Sequence, residues 1–205
     1  LDDLAVNESK LFKVDDDTKL LLRSDSANNS TSMTDVSKNQ RVITRQGNTK
    51  HSTTEKKFGA TSLYFDGNGD YLELDDSDDW PSGSGDFTLE YWVYQPNNNN
   101  EDFNDHLYQK TDTNNWWGIY TKKVSNQYYL RFSLVVSSSF KIQIETTSFV
   151  SEQWNHVAIS KSSTIYRLFS NGQMVDSTTY ATDFPNFSGK LNIGHDPVEN
   201  SYNQG

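Results

Sequence analysis

Two short stretches concentrate the oxygen donors that a hard cation needs. Thr111-Asp112-Thr113-Asn114-Asn115 precedes an apolar run, and His195-Asp196-Pro197-Val198-Glu199-Asn200 follows one. Calcium takes about six to eight oxygens from carboxylates, amides and carbonyls, and loops at a sheet rim can converge such groups. Adjacent aromatic pairs, Trp116-Trp117 and Tyr128-Tyr129, offer a second chemistry. Successive side chains of a strand point to opposite faces, so one ring of each pair can enter a core while the other faces out. An outward ring can stack on a sugar while nearby Asn and Asp bond its hydroxyls. Trp116, Trp117, Tyr128 and Asn114 are the expected ligand contacts.

Catalytic patterns are sparse. A glycosidase needs two carboxylates across the scissile bond, sharing one face of a strand. Glu73 with Asp75, and the isolated Glu90, come nearest, and all three read as acids on solvated strand faces. There is no G-x-S-x-G elbow and no cysteine, and none of His51, His106, His156 and His195 falls in a nucleophile motif. Asp66-Gly67-Asn68-Gly69-Asp70 begins like an EF-hand loop but lacks the Glu at its end and the flanking helices, so it reads as a turn. A non-enzyme is expected, with a glucanase-type glycosidase as the weakest alternative.

The elements that position these residues are strands. Phe58 to Tyr94 contains three runs of period-2 alternation separated by turn residues. Ala60–Phe65 is expected to be followed, across the Asp66–Asp70 turn, by Tyr71–Leu74 as its partner strand. Phe87, Leu89, Tyr91 and Val93 alternate with Thr88, Glu90, Trp92 and Tyr94 as a core strand should. Further strands are expected at Thr18–Arg23, His106–Lys110, Trp116–Thr121, Gln127–Val136, Phe140–Thr147, Gln153–Ser160, Thr164–Ser170, Gln173–Ser177 and Lys190–Gly194. Asn171-Gly172 marks a type I′ hairpin turn. No segment carries three turns of helical periodicity, so an all-β, two-sheet antiparallel sandwich follows.

The totals narrow the partners. A net charge of -10 disfavours nucleic acid and anionic membranes in the absence of a local basic patch. No apolar run approaches the roughly 18 residues of a membrane-spanning helix. The 205 residues suffice for one large β domain, expected over 18–205, with 1–17 as a polar N-terminal arm.

The runs TKLLLR, FGATSLYFDGNGDYLEL, GDFTLEYWVY, QWNHVAISKSSTIYRLFSNGQMVDS and GKLNIG, in that order, resemble the laminin G-like branch of the concanavalin A-like jelly rolls, which includes the pentraxins. The resemblance implies a jelly roll and a further strand after GKLNIG that this sequence does not show. It also implies calcium held by Asp112, Asn114, Asn115, Asp196 and Glu199, the residues matching the pentraxin-like positions. Such folds serve secreted adhesion proteins, bacterial surface proteins, glycosidase appendages and phage virions. The wording of this copy is most similar to the phage versions. A surface-displayed domain on a virion or outside the cell is therefore expected, binding a glycan or cell-surface receptor, contacting neighbouring virion or surface proteins, and forming a homo-oligomer. The alternative is a structural decoration protein without a ligand.

Overall fold

A computed structural model describes residues 14–97, 103–198 and 201–202. Strands are numbered in chain order. The larger sheet has seven strands: β1 (Thr44–Gln46), β4 (Tyr71–Leu74), β13 (Leu191–Ile193), β6 (Phe103–Asp112), β7 (Asn115–Val124), β8 (Gln127–Val136) and β9 (Ser139–Thr146), in that spatial order. The smaller has four: β12 (Gln173–Thr179), β11 (Ile165–Ser170), β10 (Trp154–Ser162) and β5 (Phe87–Tyr94). Two short pairs lie beside them, β2 (Lys50–Ser52) with β3 (Ser62–Tyr64), and β14 (His195–Asp196) with β15 (Ser201–Tyr202). Every strand pairing is antiparallel, and the described residues contain no helix.

The core forms where the inward residues of the two large sheets meet. Trp117, Ile119, Leu130, Phe132, Leu134, Ile142 and Ile144 of the seven-stranded sheet pack in one cluster with Val157, Ile159, Tyr166 and Leu168 of the four-stranded sheet. Burying each of these side chains contributes about 1.5–3 kcal/mol toward offsetting the chain entropy of ordering the strands. Phe132 lies nearly parallel to Tyr166, with centroids 6.4 Å apart. Phe184, on the loop after β12, packs against Tyr166, Trp117 and Phe87, and its backbone bonds Gly83 in both directions. That loop thereby closes one end of the sandwich.

Gln109 ties the core to the rim. Its Oε1 accepts the Trp117 indole N–H at 3.1 Å, while its Nε2 donates to the carbonyls of Phe187 (2.8 Å) and Gly189 (3.0 Å). A buried amide satisfied on both sides costs little and fixes the incoming β13 against β6.

The turns hold as hairpin chemistry requires. Asn171 and Gly172 both have positive φ, as the type I′ reading expects. Ser125-Asn126 and Ser137-Ser138 adopt the same left-handed pair without a glycine.

Two expectations fail. β3 does not pair with β4. It pairs with β2, and β4 joins the seven-stranded sheet between β1 and β13. The Asp66–Asp70 loop therefore crosses between sheets, held by the fully buried Asp70, whose carboxylate accepts the N–H groups of Asp66 and Asn48. Thr18–Arg23 forms no strand beyond a single bridge from Leu22 to Asp35, because Asp35 takes the Leu21 N–H with its side chain. Of the arm, 14–17 is described, and Asp15 caps the turn into Thr18.

Candidate functional site

Strand parity assigns the outer face of the seven-stranded sheet. Leu72 and Leu74 enter the core, so Tyr71 and Glu73 face out; Gln109 turns in, so Tyr108 and Lys110 face out. Likewise Trp117 and Ile119 point inward and leave Trp116, Gly118 and Tyr120 outside. Register lines up Glu73, Asn192, Tyr108, Gly118, Ser133 and Gln143 as one row across six strands. The adjacent row runs Lys110, Trp116, Val135, Phe140.

Gly118 makes this face aromatic. A Cβ there would come within 2.4 Å of the Tyr108 ring, so only glycine lets that ring lie flat on the sheet. Tyr108 then stacks on Trp116 at 5.4 Å and on Tyr120 at 6.0 Å. Phe140, 56% exposed, meets the edge of Trp116 at 6.2 Å. β14 folds over Tyr108, and Asp196 hydrogen-bonds its hydroxyl. Burial, then the nearby Asp196 charge, pushes the Tyr108 phenol well above its usual range and keeps it protonated.

Between β14 and the β4–β13 edge the same face opens into a cleft of about 310 Å³. Tyr71, Glu73, Lys110, Lys190, Asn192 and His195 line it, with Thr111, Gly189 and Pro197 at its margin. Lys190 bonds Glu73 at 2.6 Å, which holds the ammonium above its ordinary pKa, and Glu73 also accepts from Gln46 at 3.3 Å. The His195 ring lies 4.4 Å from that of Tyr71. Lys110 donates to the Pro197 carbonyl. Gly189 is obligatory, since a Cβ would fall 2.0 Å from the Lys110 carbonyl oxygen. Lys110 is also the register partner of Trp116, so the indole stands beside the cleft.

The expected ligand contacts divide. Trp116 lies on the outer face and Asn114 at its rim. Trp117 and Tyr128 do not serve: Trp117 is wholly buried, and Tyr128 lies in the core with its hydroxyl on Asn97. Parity assigned one ring of each pair to the interior, and it is these two.

The calcium set is not brought together. Asp112 accepts the Asn114 N–H at 2.8 Å and the Asn115 amide at 2.9 Å, and these bonds, the backbone one first, hold its carboxyl below the usual range. Asn115 Oδ1 accepts the Ser137 N–H, and Asn114 Oδ1 accepts the Ser138 hydroxyl, so the loop's oxygens stitch the left-handed β8–β9 turn. Asp196 sits instead on the Tyr108 hydroxyl, and among the described residues no three His, Asp or Glu side chains gather as a metal site. Calcium ligands must lie within about 2.5 Å of the ion. Among the described residues Asp112, Asn114 and Asn115 thus bond one another and the β8–β9 turn, while Asp196 bonds Tyr108; Glu199 lies outside the described residues.

Composition gave no sign of Tyr71, Lys110, Lys190, Asn192 or Phe140. For Tyr71, Lys110, Lys190 and Asn192 the available signal was parity, since each adjoins a buried residue, whereas Phe140 shares the parity of Ile142 and faces out only through the register shift at Leu134/Val135; the convergence of the cleft residues depends on β13 inserting between β4 and β6. A larger hollow of about 640 Å³, beside Asp35 and Arg41, is less suited to a ligand. Burial pushes the Asp35 carboxyl up, yet bonds from the Leu21, Arg41 and Ser37 N–H groups and the Ser37 hydroxyl outweigh it and hold it low. Arg41 is committed to Asp79 and lies over Trp80. The charged groups of that hollow, Asp35 and Arg41, are spent internally.

The sequence model of the concanavalin A-like lectin/glucanases superfamily matches residues 66–205. No curated protein matches the sequence. Among solved structures, domain 4 of AbnA, a GH43 extracellular arabinanase from Geobacillus stearothermophilus solved with arabinotriose, superposes with TM-score 0.62 at 17% identity. The match covers 83% of this chain and 82% of that one. An HCR/D mutant superposes with TM-score 0.66 at 12% identity, over 88% of this chain and 44% of that one. The enzymatically active domain of bacteriophage CBA120 tailspike protein 2 gives 0.61 at 12% identity, over 88% and 28%. The chain thus spans less than half of the HCR/D and tailspike chains. At these identities the likeness is one of fold.

Proposed function

Because the chain belongs to the concanavalin A-like lectin/glucanases superfamily, we propose that it is a non-catalytic glycan-binding module displayed outside the cell or on a virion. Its ligand lies on the outer face of the seven-stranded sheet, in the Tyr71–Lys110–Asn192 cleft beside Trp116. The observation that carries this reading is the meeting of a concave polar cleft with neighbouring partly exposed rings, Trp116 and Phe140. Sugar sites combine such donors with flat apolar surfaces. A non-catalytic role is supported by the carboxylate in the cleft, Glu73, which is held by Lys190 and Gln46 rather than poised to transfer a proton. The fold shared with the arabinanase domain and the phage tailspike supports an exterior location.

A glycan array probed with the wild type, Trp116→Ala and Trp92→Ala tests the reading. Trp116→Ala is expected to weaken the hits at least about tenfold, as loss of an aromatic anchor does, and Trp92→Ala to leave them unchanged. Release of reducing sugar from a bound glycan would overturn the non-catalytic part.

One observation favours an assembly role as a second reading. β5 pairs only with β10 among the described residues, and its inward Phe87, Leu89 and Tyr91 are only half-buried, whereas inward residues of β10 and β11 are closed. An open edge of this length invites pairing with another chain. Sedimentation velocity up to about 100 µM distinguishes the outcomes: a dimer supports pairing, and a monomer throughout contradicts it.

A further inference from the structure

Resting on the glycan reading, we infer that the cleft selects a sugar bearing an anionic group, a carboxylate or a sulfate, and that Lys110 is the residue that recognises it. Arg41, Arg131 and Lys190 each meet an acid, Asp79, Glu145 and Glu73 respectively, whereas Lys110 forms no ion pair with a described residue. Lys110 is half-buried on the wall of the cleft, and its one hydrogen-bond acceptor among the described residues is the neutral Pro197 carbonyl. An ammonium carries three donors, so Lys110 keeps two for a ligand. The lining carries Lys110 and Lys190 against Glu73, and Asp75 lies 3.9 Å from Lys190, so the nearby acids gather at Lys190 rather than at Lys110. The whole chain carries -10. Charges beyond about 8 Å are screened at physiological ionic strength, so a single anionic group entering the cleft meets the local cation, whereas a long polyanion meets the acidic remainder as well. A short or terminal acidic sugar therefore fits better than an extended acidic polymer. Asn192 and Thr111 add neutral hydrogen-bonding groups beside Lys110, and Trp116 the flat surface for its ring.

The test is an array carrying matched neutral, uronate- or sialate-bearing and sulfate-bearing oligosaccharides, followed by titration of each hit with the wild type, Lys110→Met and Lys110→Arg. Acidic hits are expected, with affinity falling at least about tenfold in Lys110→Met, largely restored in Lys110→Arg, and declining as sodium chloride rises from 50 to 300 mM. The carboxylate and sulfate arms tell the two sources apart. The salt series on the wild type needs no variant and stands if Lys110→Met fails to fold. Hits confined to neutral sugars, or acidic hits indifferent to Lys110→Met and to salt, overturn the inference while leaving the glycan reading in place. No hits in any arm would sink the glycan reading itself.

Discussion

The two outer faces of the sandwich both carry aromatic residues, and they use them in opposite ways. On the four-stranded sheet, Trp92 is 37% exposed, but Lys57 lies 4.2 Å over its ring, Phe58 meets it edge-on at 5.6 Å and His156 approaches at 5.1 Å. His156 in turn lies 3.4 Å from Glu90. The ring is occupied by its own neighbours. On the seven-stranded sheet, Tyr108 and Tyr120 are buried, yet their stack props Trp116 beside a cleft whose lysine has donors to spare. Exposure of a large ring is thus a poor guide to a binding surface. Concavity with uncommitted polar groups is the better one.

The largest effect that sharpens this contrast separates the adjacent tryptophans. Trp117→Ala should cost about 3–5 kcal/mol in a denaturant titration, as removal of a fully buried aromatic does, whereas Trp116→Ala should cost less than about 1.5 kcal/mol. Equal losses would mean that Trp116 is core and not surface. Next comes His106, on β6 beneath the same face, whose burial lowers its pKa to about 3. The folded protein keeps the ring neutral, while the unfolded chain binds a proton below about 6.5. The unfolded state therefore holds the extra proton between those values, and stability falls as pH drops through that window, by up to about 1.4 kcal/mol per pH unit. His106→Gln, which can still meet the Tyr91 hydroxyl, should flatten that limb. Gly189→Ala should cost about 1–3 kcal/mol by forcing the cleft wall away from the Lys110 carbonyl. Its glycan affinity should fall as well. On the opposite face, Lys57→Ala should cost only about 0.5–1 kcal/mol, the worth of an exposed cation–π contact, with binding unaltered. Smallest of all, millimolar calcium should leave the melting temperature where it is, because a ligand that bound only the folded state would raise it.

Much of the fold was legible in local alternation. Phe87 to Tyr94 reads as a strand with Phe87, Leu89, Tyr91 and Val93 inward, and so it folds. Asn171-Gly172 announces its turn because those residues tolerate positive φ, while Ser137-Ser138 conceals one, since its strain is offset by bonds from the Asn114–Asn115 loop. The same Asp and Asn residues that suggested calcium perform that stitching, and composition alone cannot separate the two uses. Parity showed that one ring of each aromatic pair turns inward. Which one depends on register, a property of neighbouring strands. The cleft was least legible, because Lys110 and Lys190 meet only once β13 has come back to lie between β4 and β6.

The account is tested most directly by titrating isotopically labelled protein with the strongest array hit and following its amide and indole resonances by NMR. It predicts that perturbations gather at Tyr71, Lys110, Trp116 and Asn192 and leave Trp92, His156 and Met174 unmoved. Perturbations centred on Trp92, with the Lys110 region silent, would place the ligand on the wrong sheet and contradict it.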